Sequence, residues 1–141
     1  MRSLIIILTL LVFVGCTTKT KHYEIKVLHN YIENNEIERH ENKLDNNVLY
    51  LFFLSGFKDD IIEINYDNIL LKENSVSTDE SLGKATTIVF NKRAITNFKI
   101  KVSNGPELVF NPFEFDSNKM GIYFNGDTLI CQPFRYAPRF E

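Results

Sequence analysis

Between Val48 and Gln132 the apolar residues come in short runs separated by Asn, Asp and Gly. Their repeat is two residues, not the 3.6 of a helix, and this limits the fold more than any other feature. Phe98, Ile100 and Val102 alternate with Lys99, Lys101 and Ser103. In a strand, that spacing puts apolar side chains on one face and polar ones on the other.

The same reading runs along the chain. Residues 22–30 alternate Tyr23, Ile25 and Val27 with Glu24 and Lys26, a first strand. Residues 31–47 are polar with few apolar anchors and read as a surface loop. Residues 48–57 (VLYLFFLSGF) are apolar on both parities, as expected for a strand buried on both faces at the centre of a sandwich. Residues 61–66 and 69–72 flank Asp67-Asn68, two residues that tolerate positive φ, so a tight hairpin is expected there. Residues 73–85 read as a polar connection and 86–91 as another strand. Asn104-Gly105 turns the chain into residues 107–110, and Asn125-Gly126 joins 119–124 to 128–132 with the chemistry of a type I′ turn. The tail from Pro133 to Phe140 is expected to lie extended along an edge. About eight short strands and no amphipathic helix predict an antiparallel β-sandwich, Ig-like or jelly-roll-like.

The chemistry of the chain is sparse. Lys+Arg 16 against Asp+Glu 18 gives a net charge of −2 with no basic stripe, which argues against a nucleic-acid partner. There is no GxSxG, P-loop, GxGxxG or metal-ligand spacing, so no catalytic residue, cofactor or metal is expected. His22, His29 and His40 have no sequence context that nominates a partner, and Cys131 follows Leu129 and Ile130 as a core thiol would. Asp59-Asp60 and Asp67 lie at opposite ends of one predicted strand, about 20 Å apart at ~3.3 Å per residue, too far to share a calcium ion. They and Asp79-Glu80 read as turn-forming, solvated residues. Tyr66, Tyr123, Phe134, Tyr136 and Phe140 are the rings that would serve a ligand. Phe134, Tyr136 and Phe140, interleaved with Pro and Arg in the tail, form the candidate contact surface.

The N-terminus states an address. Arg2 precedes the apolar run Leu4–Val14, and Gly15-Cys16 follows. Eleven residues suit the h-region of a signal peptide and fall short of the ~20 needed to span a bilayer as a helix. Phe13-Val14-Gly15-Cys16 resembles the lipobox of bacterial lipoproteins, with Phe13 where that family usually has leucine. The resemblance implies that the Cys16 thiol receives diacylglycerol and that the chain is cut before it. It divides the sequence into a signal helix at 1–15, a lipidated cysteine and tether at 16–22, and a β-sandwich domain at 23–141. The short leader and the Asn/Ile/Lys-rich β domain are also similar in style to small lipoproteins of Bacteroidota. In that group an acidic run soon after the cysteine often directs surface display. Here Thr17-Thr18-Lys19-Thr20-Lys21-His22 carries no acid before Glu24.

These readings predict a non-enzymatic lipoprotein of the bacterial cell envelope, on the outer membrane if the cell has one, with the leaflet left open. Its partners would be the membrane, through Cys16, and a protein or envelope component. A carbohydrate-binding accessory lipoprotein is the alternative, and a hydrolase with a site formed only in three dimensions is the third reading.

Overall fold

In the computed structural model, which describes residues 24–28, 30, 47–92, 97–136, 138 and 140, the apolar runs form two β-sheets that share one core. The strands are β1 (Glu24–Val27), β2 (Val48–Phe53), β3 (Asp60–Tyr66), β4 (Ile69–Val76), β5 (Thr86–Asn91), β6 (Phe98–Val102), β7 (Glu107–Phe110), β8 (Lys119–Phe124) and β9 (Thr128–Pro133). The first sheet has the order β1-β9-β8-β2-β5 and the second β4-β3-β6-β7. The predicted β-sandwich is therefore the fold. Most neighbours are antiparallel, but β1 runs parallel to β9 and β2 parallel to β8.

Alternation sets which side chains meet between the sheets. Leu49, Leu51 and Phe53 of β2, Ile62 and Ile64 of β3, Phe98, Ile100 and Val102 of β6, and Met120 and Ile122 of β8 are all buried in one cluster. Each such side chain contributes about 1.5–3 kcal/mol through its removal from water. An aromatic ladder runs through this core: Phe90 stands edge-on to Phe98 at 4.9 Å, and Phe98 stacks on Phe110 at 5.5 Å. The outer face of the second sheet is charged. Glu63 pairs with Lys72 across β3 and β4, and Lys99 reaches Glu107 on β7.

The first sheet is covered on its outer side too. Phe52, Leu54 and Phe134 form a second buried cluster, with Tyr50, Tyr123 and Phe140 packed against it. The tail does not simply follow an edge. It carries Phe134 edge-on to Phe52 at 6.3 Å and Phe140 to within 5.9 Å of the same ring. This second layer is why residues 48–57 are apolar on both parities.

Three turns differ from one another. Asp67 (φ 45°) and Asn68 (φ 64°) are both left-handed, as the expected tight hairpin requires. At Asn125-Gly126 only Gly126 is left-handed (φ 85°). The turn is closed by the Asn125 side chain, whose Oδ1 accepts from the backbone N–H groups of Asp127 and Thr128. It is thus an Asx-type turn, not type I′. Between β6 and β7 the left-handed residue is Ser103 (φ 50°) rather than Asn104 or Gly105. β4 also extends to Val76, into the stretch read as a polar connection, with a bulge opposite Asp60–Ile62.

Candidate functional site

Strand direction gives the sandwich two distinct ends. The chain enters at Glu24, whose N–H donates to the Asp127 carbonyl at 2.9 Å. Entry is therefore at the end that carries the β8–β9 turn. β9 then runs from Thr128 to Pro133, about 17–20 Å toward the other end at ~3.4 Å per residue.

The entry end holds an open cleft of about 450 Å³ lined by Gly56, Lys58, Asp60, Ser103 and Asn125 among others. Its polar groups satisfy one another. The Ser103 hydroxyl donates to Asp60 Oδ1 at 2.9 Å and accepts the Ile61 N–H at 3.1 Å, and Asp60 Oδ2 accepts the Lys58 N–H. Thr78 does the same nearby, donating to the Leu54 carbonyl and accepting the Phe57 N–H, both at 3.0 Å. These bonds fasten the segments that cross between the sheets. Gly56 makes the crossing possible: a Cβ there would lie 1.2 Å from the Phe124 carbonyl oxygen.

The far end is different in kind. A cleft of about 290 Å³ is lined by Lys92, Asp116, Ser117, Asn118, Lys119 and Arg135. Ser117 and Asn118 are committed to the fold. The Ser117 hydroxyl donates to the Phe134 carbonyl at 2.6 Å and accepts the Lys119 N–H at 3.0 Å, and Asn118 Nδ2 donates to the Val48 carbonyl at 2.8 Å. Lys119 is only 9% exposed. Its ammonium donates to Asn118 Oδ1 at 2.9 Å, and no carboxylate within the described residues forms an ion pair with it. Burial, and secondarily the nearby Lys92 cation, hold its pKa below the usual lysine range. Lys92 Nζ donates to the Ser117 carbonyl at 3.2 Å. A buried cation next to a second cation is unfavourable, and the lining carries three cationic side chains against the one carboxylate of Asp116. That makes this cleft the candidate binding site.

A third cleft, of about 350 Å³ and mostly apolar, lies beside Leu28, Tyr123, Ile130 and Gln132. Burial raises the Tyr123 pKa.

The residues singled out in the sequence fall as follows. Phe134 is buried and Phe140 lies on Phe52, so both rings serve the second cluster; Tyr136 is half-buried. Tyr66 packs on Phe90 at 4.9 Å and on Phe98 at 5.8 Å. Cys131 is a core residue, and burial pushes its thiol well above the usual range. Asp79 organises its own loop: its carboxylate accepts from the Ser81 N–H and hydroxyl, and these bonds lower its pKa. No group of three or more His, Cys, Asp or Glu side chains converges on a metal position among the described residues. Cys16, the leader, the tether, and His22, His29 and His40 lie outside the described residues. Lys92, Lys119 and Arg135 were not legible as a group, because each reads in sequence as a single solvated charge.

No family model matches this chain, and no curated protein matches it. A solution NMR structure of a protein from Eubacterium rectale is similar over 62% of this chain and 88% of its own, at 8% identity and a TM-score of 0.33. A likeness at that level carries no argument about fold or function.

Proposed function

We propose that this chain is a lipid-anchored, non-enzymatic envelope protein that holds a β-sandwich binding domain at a membrane surface. The observation that carries the reading is the leader: Arg2, the apolar run Leu4–Val14, and Gly15-Cys16 followed by a polar stretch. Two or three acyl chains on one cysteine anchor stably, since each buried CH₂ contributes about 0.8 kcal/mol.

The domain's geometry supports the reading. The described chain enters the first sheet through β1, at the end of the sandwich opposite the cationic cleft. From Cys16 to Glu24 is eight residues, at most about 29 Å at ~3.6 Å per residue. Such a tether keeps the domain near the membrane. Protein or envelope-component binding suits this arrangement better than a sugar platform, because the tail rings are used to pack the second cluster.

The test is metabolic labelling with an alkyne-tagged palmitate in a lipoprotein-processing bacterial host. The wild-type chain takes up label and the Cys16→Ala variant does not. Equal labelling of both, or none of either, would remove the reading.

A further inference from the structure

We infer that the cleft formed by Lys92, Lys119 and Arg135 binds a small oxyanion of the phosphate class. Three cationic side chains and one carboxylate, Asp116, line it. The site is built rather than incidental. Lys119 begins β8 and is held there from three sides: its N–H by the Ser117 hydroxyl, its carbonyl by the Phe134 N–H at 2.8 Å, and its ammonium by Asn118 Oδ1. Asn118 is fixed in turn by its bond to the Val48 carbonyl. A lysine ammonium carries three donors, and one is spent on Asn118.

Among the described residues no other group is comparable. Cys131 is sealed in the core, the entry-end carboxylate and hydroxyl satisfy each other, and the charged outer face of the second sheet pairs Lys with Glu. An anion in the far-end cleft would turn the like-charge proximity of Lys92 and Lys119 from a cost into a recognition element. Lys92 and Lys119 act as point charges, and Arg135 adds a third positive charge to the lining.

The ligand chemistry is a phosphate group, whether free in solution or on a lipid headgroup. The solution source is favoured because the cleft lies at the end away from the chain's entry. That preference rests on the proposed anchoring; the binding chemistry itself does not.

The experiment uses the full chain in neutral detergent micelles at pH 7. Thermal unfolding is followed against sodium phosphate, with sodium chloride at matched ionic strength as control. Phosphate raises the midpoint saturably and chloride does not. Lys92→Gln and Arg135→Gln, which remove surface charge without opening the core, each weaken the apparent phosphate affinity by about tenfold. Lys119→Met weakens it at least as much. Micelles doped with phosphatidylglycerol separate the sources. Stabilisation by free phosphate unaffected by the lipid supports a soluble ligand, and loss of the phosphate effect in doped micelles assigns the site to a headgroup. Phosphate stabilisation that is absent, or is the same in wild type and all three variants, overturns the site whatever Cys16 labelling shows.

Discussion

Replacing Gly56 by alanine should be among the most damaging single changes in this domain, and its size follows from two separable terms. The residue sits at φ +100°, where a Cβ is disfavoured, at about 1–2 kcal/mol. The second term is steric. The new carbon would lie 1.2 Å from the Phe124 carbonyl oxygen and 2.4 Å from its carbon, and both are backbone atoms that cannot swing aside. Relief requires the end of β8 to move away from the segment after β2. That move strains the bonds from the Phe124 N–H to the Ser55 carbonyl (3.0 Å) and from the Leu54 N–H to the Ile122 carbonyl (2.9 Å). Two backbone bonds at about 1 kcal/mol each, plus about 1 kcal/mol of repacking strain, bring the total to about 4–5 kcal/mol. For a domain of this size, 1 kcal/mol moves Tm by roughly 3–6 °C, so the loss is roughly 12–30 °C. The control is Gly126→Ala. Its φ is also positive, +85°, but nothing lies within 4 Å of the added carbon. It should cost only the conformational term, about 1–2 kcal/mol. Urea unfolding of both variants, followed by far-UV circular dichroism, gives the difference directly. If Gly56→Ala unfolds within about 1 kcal/mol of Gly126→Ala, the close approach of the two segments is not a feature of the folded protein.

Other parts of the structure make equally definite predictions. A Cβ on Gly121 would lie 2.5 Å from the Phe134 ring, so Gly121→Ala should destabilise the wild type and cost markedly less beside Phe134→Ala; a double-mutant cycle should show about 1–2 kcal/mol of coupling, and additivity would mean that Phe134 does not cover the sheet. In a Cys16→Ala background the Cys131 thiol should fail to react with a disulfide reagent until denaturant unfolds the domain, because it is fully buried and held protonated; prompt reaction in buffer contradicts its core position. Lys119, facing Lys92, Asp116 and Arg135, has a folded-state pKa below the unfolded 10.5. The unfolded chain therefore binds more protons between those two values, and stability should rise with pH up to about 10.5. Lys119→Met should remove that part of the slope and be relatively more stable at pH 7; unchanged pH dependence in denaturant titrations would count against the buried ammonium.

Strand positions were largely legible because alternation is a local signal. Residues 86–91, 98–102, 107–110 and 119–124 become strands at the bounds that their apolar residues mark. The double-sided burial of β2 was also legible, since a strand apolar on both parities needs two partners. Strand neighbours were not, because pairing is decided by contacts far apart in sequence. Nothing in residues 48–53 or 119–124 taken alone shows that these strands run parallel to each other. The tail reads as extended and aromatic, but its seat on Phe52 depends on Gly121 leaving room for the Phe134 ring. The cationic cleft was hidden for the same reason. Lys119 looks like the polar start of an ordinary strand, and only the return of the chain at Ser117, Phe134 and Lys92 buries it beside a second cation. At the turns, local chemistry was right about place and wrong about mechanism where the Asn125 side chain, not its backbone, closed the loop.

Lipid anchoring at Cys16 is the central claim, and intact-mass spectrometry of the protein extracted from its own membrane tests it most directly. The expected species is a chain that begins at Cys16 and carries a thioether-linked diacylglycerol, with or without a third acyl group on its amine. A chain that begins elsewhere, or one that retains a free Cys16 thiol, would contradict it.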